Sequence, residues 1–140
     1  MQNIPQVKRF EKGDRVWVQA QQIWIILISY VMNSNKDPRN PVTLPYGELA
    51  ELMGFPDRRA GHTLGRQLGI VGEYCKLNDL PALNAIVINS LTGQPGDHVV
   101  LTKGRSPRQE QAAVMSEDWF AIRVPTTGTF RKIWDTKVAK

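Results

Sequence analysis

Residues 15–32, RVWVQAQQIWIILISYVM, restrict the possible folds more than any other stretch of the chain. The stretch contains neither glycine nor proline, and its apolar residues recur at helical spacing. A helix of about five turns is therefore expected, with Asp14 as its N-cap. Apolar side chains also spread around the helix, which implies burial on more than one side. We expect a central core helix; the alternative is a helix shared with a second subunit.

The length and composition fit one folded domain. With 140 residues, 41% of them apolar, the chain can bury a hydrophobic core but is too short for two ordinary domains. We expect a flexible leader at residues 1–13, a domain at residues 14–104, and a C-terminal helix and tail at residues 105–140 that pack on the domain or on a partner. The most apolar run, residues 23–32, is about half the length that spans a bilayer, so no membrane partner is expected.

The ionisable residues favour an anionic partner and exclude several kinds of site. Lysine and arginine number 18 against 13 acidic residues, a net charge of +5, which favours a polyanion such as nucleic acid. The single cysteine, Cys75, cannot form an internal disulfide, and with only two histidines the chain offers no metal-ligand spacing. We expect a cytoplasmic protein with no secretory signal, cofactor or metal.

A short helix, a turn and a longer helix are predicted in the middle of the chain. Residues 46–53 form the short helix, which Gly54 ends, and Asp57 can cap the longer one, residues 58–76. On the longer helix the apolar residues share one face and the cations another. The expected buried face consists of Leu64, Leu68, Val71 and Cys75, and the expected cationic face consists of Arg58, Arg59, His62 and Arg66.

Glycine recurs along the same predicted helix, at positions 61, 65, 69 and 72. Each glycine inside a helix costs about 0.5 to 1 kcal/mol relative to alanine, so a close approach to this backbone is expected. The approaching group is either the first helix or a nucleic-acid backbone.

The remaining residues predict a hairpin and one further helix. Residues 83–89 are apolar and β-branched, residues 90–97 are rich in turn formers, and residues 98–103 can form a returning strand. Ser106 with Gln109 fits a capping box, and Pro107 fits the first helical position. Residues 118–124 are expected to form a strand or a docking tail.

The order of these elements matches a winged helix, in which the third helix lies in the DNA major groove and the hairpin contacts the backbone beside it. The predicted fold is α+β: a winged helix-turn-helix-like helical core with a small antiparallel β-hairpin wing and a C-terminal extension.

Four short motifs between residues 20 and 92 resemble those of a known family. They are Gln22-Ile23-Trp24, Tyr46-Gly47-Glu48-Leu49-Ala50, Gly54-Phe55-Pro56 and His62-Thr63-Leu64-Gly65-Arg66-Gln67-Leu68. In this order they resemble the DNA-binding domain of the O6-alkylguanine-DNA alkyltransferases and the catalytically inactive alkyltransferase-like proteins. The resemblance covers about half the chain and implies binding to duplex DNA.

The chain lacks that family's reactive residues. Residues 83–89, LNAIVIN, stand where the family has Pro-Cys-His-Arg or Pro-Trp-His-Arg, and Cys75 lies earlier, on the apolar face, without an adjacent base. Alkyl transfer is therefore not expected, and the acidic residues are too scattered for a nuclease site. We expect no enzymatic activity and a buried, unreactive thiol at Cys75.

The expected function is non-enzymatic binding of double-stranded DNA through a basic recognition helix and a wing. The resemblance implies that Tyr46 presses on the backbone of a bound nucleotide and that Arg58, Arg59 and His62 lie where the reading helix begins. Each has another interpretation: Tyr46 as a core residue, His62 as an ordinary surface residue, and the arginines as partners of Glu48, Glu51 or Asp57.

Charge and side-chain chemistry extend this surface. Arg66 can reach a phosphate or a guanine edge, and Gln67 can reach an adenine. Lys103 and Arg105 follow the predicted hairpin and can hold a flanking phosphate.

A protein-interaction module on the same scaffold is the alternative, with no role in binding nucleic acid. The broad apolar surface of the first helix would then form a homodimer or another partner interface. The aromatic residues expected to join that interface are Trp119, Phe120, Phe130 and Trp134. Large exposed aromatic patches would favour this alternative.

Overall fold

The computed structural model describes residues 3–96 and 99–139, which are mostly helical with one small sheet. The helices are α1 (Val16–Met32), α2 (Tyr46–Leu52), α3 (Gly65–Leu77), α4 (Pro107–Ser116) and α5 (Thr127–Ile133), and the strands are β1 (Leu44–Pro45) and β2 (Val87–Ile88). Tighter 3-10 turns occupy Arg58–Thr63, Leu83–Ile86 and Trp119–Ala121, and a wider π-helical turn occupies Trp134–Val138.

The predicted core helix is confirmed as α1, which packs against α3 and α5. Its residues Ala20, Ile23 and Trp24 are fully buried, as its mixed apolar surface indicates. Asp14 is not the N-cap. Arg15 holds that position, while the Asp14 carboxylate accepts a hydrogen bond from the Glu11 N–H at 2.8 Å. Residues 3–13, the described part of the predicted leader, are exposed and form no helix or strand.

The predicted antiparallel wing is not confirmed: after β2 the described residues show a single antiparallel bridge, between Ile88 and Pro95. β1 and β2 run parallel, with Leu44 opposite Val87 and Pro45 opposite Ile88. The expected strand at residues 83–89 begins instead as the buried 3-10 turn Leu83–Ile86, and residues 99–103 form no strand; His98 lies outside the described residues. Leu44 and Val87, the first residues of the two strands, are fully buried, so this short sheet is part of the core.

The predicted helix at residues 58–76 is broken into two segments. Asp57 caps the 3-10 turn Arg58–Thr63 by accepting a hydrogen bond from the Arg59 N–H, and α3 begins after Leu64. The turn lies against the start of α2, and a Cβ atom at Gly61 would lie 2.5 Å from the Tyr46 carbonyl oxygen. The break in the predicted helix therefore occurs where the Gly61 backbone packs against the Tyr46 backbone.

The close approach expected along the glycines occurs at Gly61 and Gly72, from elements other than α1. At Gly61 the neighbour is the Tyr46 backbone, and at Gly72 an added Cβ would lie 2.5 Å from the Asn84 amide nitrogen. The Asn84 side chain is buried and donates to the Leu68 carbonyl at 3.1 Å. These two glycines therefore make room for α2 and for the Leu83–Ile86 turn rather than for α1.

The C-terminal segment completes the same core. The predicted capping box at the start of α4 is confirmed, with Ser106 and Gln109 each bonding the other's backbone. Beyond α4, the rings of Trp119 and Phe130 lie 5.6 and 6.4 Å from the Trp24 ring. Both side chains are fully buried, so their assignment to a partner interface is wrong. Residues 118–124 form no strand: Trp119–Ala121 is a 3-10 turn, and the buried Trp119 agrees with the alternative prediction of a docking tail.

Within the described residues, no helix combines the length and the apolar character needed to cross a membrane.

Candidate nucleic-acid interface

Two adjacent arginines lie on the exposed 3-10 turn that precedes α3. Arg59 Nη2 lies 2.8 Å from the Asp57 carboxylate, and Arg59 Nε donates to the same group at 3.0 Å. The hydrogen bonds from the Arg59 side chain and backbone hold the pKa of the Asp57 carboxyl below its ordinary value. Asp57 thus caps the turn and also orients one of the cations expected to bind DNA.

Arg58 extends over the neighbouring helix. Its Nη1 atom lies 3.3 Å from the Glu51 carboxylate, and its side chain is 57% exposed. A Cβ atom at Gly47 would lie 3.0 Å from Arg58 Nε, so the guanidinium crosses the first turn of α2 at close range. The alternative interpretation, in which the arginines pair with Glu51 and Asp57, is confirmed for both arginines.

A pocket of about 210 Å³ brings together four of the residues predicted to bind DNA. Its lining is Pro45, Tyr46, Gly47, Arg58, Arg59, His62, Asn89, Ser90 and Leu91. His62 is exposed and Tyr46 is half-buried. The start of α2, the arginine-bearing turn and the loop after β2 therefore meet at one surface.

Sequence reasoning did not include the loop after β2 in the site. Leu91 is 94% exposed, and the Asn89 side chain orders the loop by accepting a hydrogen bond from the Leu91 N–H at 2.8 Å. The run of turn-forming residues after Asn89 indicated a loop. Its position beside Arg59 follows from the long-range pairing of β1 with β2, which that run does not reveal.

Arg66 and Gln67 do not join this pocket. Arg66 is exposed, but its guanidinium stacks on the Trp134 ring at 5.8 Å, which is a cation–π contact with the C-terminal segment. Gln67 is buried, and its Nε2 donates to Gln19 Oε1 of α1 at 2.7 Å. The expectation that Gln67 reads a base is therefore wrong, because its side chain faces the core.

Lys103 and Arg105 lie elsewhere. They line a different cavity, beside the C-terminal end of α3, together with Lys76. Arg105 Nη1 lies 2.6 Å from the carboxylate of Glu110, whose side chain is fully buried. Residues 99–103 form no strand, and these two cations line a cavity that does not include the arginine-bearing turn.

Cys75 is buried in the core, as the apolar face of α3 predicts. Burial raises the pKa of its thiol to about 12, so the reactive thiolate is suppressed near neutral pH. Leu64, Leu68 and Val71, the other residues predicted on that face, are fully buried as well.

Comparisons with protein-family models, with curated protein sequences and with solved structures find no match to this chain.

Proposed function

We propose that this chain binds double-stranded DNA without catalysing a reaction. The observation that carries the proposal is the convergence of Tyr46, Arg58, Arg59 and His62 around one exposed pocket. Guanidinium groups bind phosphate oxygens through paired hydrogen bonds, and histidine and tyrosine can add single ones. A DNA backbone crossing the start of α3 would meet all four side chains.

The present partners of the two arginines do not prevent phosphate binding. Both ion pairs are exposed, and solvent screening makes the contribution of exposed ion pairs to stability small. Exchanging an exposed carboxylate for a phosphate therefore costs little, and the release of DNA counterions favours the exchange at low salt.

The reading of bases is proposed to be limited. Gln67 is turned inward and Arg66 stacks on Trp134, so direct contacts to base edges fall to residues at the start of the turn. The loop after β2 takes the place proposed for the wing, because Ser90 and Leu91 line the same pocket. Contacts to phosphates position a protein on DNA but carry little sequence information, so binding should depend weakly on sequence.

A second candidate function is the binding of a protein partner, and an apolar groove favours it. The groove has a volume of about 580 Å³ and runs along the outer side of α1, where Ile25, Tyr30 and Val42 line it with Leu52 of α2. Ile25 and Leu52 remain exposed, whereas Trp119 and Phe130 are buried. An interface would therefore use this groove rather than Trp119 or Phe130, whereas Phe120, which is 61% exposed, is also accessible to a partner.

Titration of a fluorescent DNA duplex at several salt concentrations tests the proposal. Wild-type affinity should fall steeply with salt, because phosphates are neutralised and counterions released. The double variant R58A/R59A should bind about tenfold more weakly at low salt, and the slope of log affinity against log salt should shrink by about 2. Conversely, E51Q removes a carboxylate that competes for Arg58 and should tighten binding.

The matched control is R9A/R123A, which removes two exposed arginines that do not line the pocket. It should retain wild-type affinity. Equal losses in both double variants would mean that net charge alone drives binding, and absence of wild-type binding at low salt would exclude the proposed function. The thermal unfolding midpoint of R58A/R59A should stay close to that of the wild type, which separates a binding defect from unfolding.

A further inference from the structure

A second cavity, of about 460 Å³, lies between the C-terminal end of α3 and residues 100–105. Its volume falls within the range of about 300 to 1,000 Å³ that is typical of pockets for small molecules. One part of its wall is apolar, formed by Leu80, Pro81, Val100 and Leu101. The other part carries cations, so the cavity presents two distinct chemical surfaces.

Three cations face this cavity: Lys76 from the last turn of α3, Lys103 and Arg105. In the described part of the chain, no carboxylate forms an ion pair with Lys76 or Lys103. Asp79 lines the cavity and Glu110 pairs with Arg105, so two carboxylates oppose the three cations. The net charge of these groups is therefore positive, and the ammonium groups of Lys76 and Lys103 are available to a ligand.

The buried carboxylate of Glu110 fixes the walls of the cavity relative to each other. It accepts hydrogen bonds from the Thr102 N–H, from the Thr102 hydroxyl at 3.1 Å and from Arg105 Nη1 at 2.6 Å. It also accepts a longer bond from the Ala82 N–H, at 3.4 Å, on the opposite wall. A cavity whose walls are held before binding loses less conformational entropy when a ligand enters.

From these observations we infer that the cavity binds a small organic phosphate monoester, with the phosphate between Lys76 and Lys103 and a flat apolar body against Leu80 and Val100. A mononucleotide has this chemistry. The inference is independent of the DNA-binding surface, because the two cavities share no lining residue.

Isothermal titration calorimetry with AMP tests the inference on the full chain. K76A/K103A should bind AMP at least about tenfold more weakly than the wild type, since both available charges are removed. K132A/K137A is the matched control, because it removes two exposed lysines outside the cavity and should bind like the wild type. Adenosine, which lacks the phosphate, and inorganic phosphate, which lacks the apolar body, should each bind at least about tenfold more weakly than AMP.

Any of three results with the wild type would overturn the inference: no heat of binding with AMP at millimolar concentration, equal affinity of adenosine and AMP, or equal affinity of inorganic phosphate and AMP. A loss of AMP binding in R58A/R59A but not in K76A/K103A would assign the ligand to the arginine-bearing pocket instead, and so would also overturn it. The outcome does not depend on the DNA titration, since R58A/R59A should bind AMP normally even if it binds DNA poorly.

Discussion

The two cationic regions of this protein hold their arginines in opposite ways. Before α3, Arg58 and Arg59 pair with carboxylates that are themselves about half exposed, at 47% and 51%. Beside the other end of α3, Arg105 pairs with Glu110, whose side chain is fully buried and also binds two backbone N–H groups. The first arrangement leaves the arginines able to exchange partners, whereas the second makes the ion pair part of the fold.

Replacing Glu110 should have the largest effect on stability. E110A leaves two N–H groups and a partly buried guanidinium without their acceptor, which should lower the free energy of unfolding by about 3 kcal/mol. E51A removes an exposed pair and should change it by less than about 0.5 kcal/mol. Urea denaturation of both variants measures the difference. Similar losses of unfolding free energy in E110A and E51A would show that burial of the carboxylate does not make one ion pair more stabilising than the other.

A smaller loss is expected for G61A. The added Cβ would lie 2.5 Å from the Tyr46 carbonyl oxygen, a backbone atom that cannot move aside alone, so we expect a loss of about 2 kcal/mol. G13A is the control, because nothing lies within 4 Å of a Cβ at that position. A neutral G61A would mean that the turn can shift, and that the arginines it carries are less firmly positioned than the structure indicates.

The two regions should also differ in their response to pH. Burial raises the pKa of the Glu110 carboxyl, but the hydrogen bonds from Thr102, Arg105 and Ala82 lower it by more, so the pKa lies below the ordinary value. The stability that this carboxylate contributes is therefore present above the unfolded-state pKa, about 4.3, and is lost as pH falls through the lower folded-state pKa.

Thermal unfolding between pH 7 and pH 3 checks this prediction. The wild type should lose stability with acid more steeply than E110Q, which is destabilised at neutral pH but has no carboxyl to protonate at that position. D57N should resemble the wild type, since Asp57 is exposed and its pair with Arg59 is screened by solvent. If the unfolding temperatures of the wild type and E110Q fell equally with decreasing pH, the role assigned to Glu110 would be contradicted.

Local patterns predicted the elements whose signals lie within a few residues. The apolar spacing of α1, the capping box of α4 and the buried face of α3 are each encoded over one to a few helical turns, and all are confirmed. The apolar run at residues 83–89 predicted a strand, and only Val87–Ile88 form one. It could not reveal that Val87 pairs with Leu44, because that partner is distant in the chain.

The misassigned site residues depend on tertiary contacts. Gln67 lies beside the buried face of α3, and only the position of Gln19 on α1 gives it a partner inside the core. Glu110 sits in the polar segment QEQAAVM, which gives no sign of a buried carboxylate. The cationic face carrying Arg58 and Arg59 is exposed, as the sequence predicts. Its 3-10 conformation was not predicted, because it depends on the contact between Gly61 and the Tyr46 backbone, which is not evident from neighbouring residues.

The aromatic cluster around Trp24 also affects how the chain folds as it is made. The Trp24 ring contacts Trp119 and Phe130. These two residues are synthesised about 100 residues later than Trp24. During that interval α3 can already cover one side of α1, but the side that packs against Trp119 and α5 is open to chaperones or to aggregation. Synthesis that stops before Trp119 should therefore yield an insoluble fragment rather than a smaller folded protein.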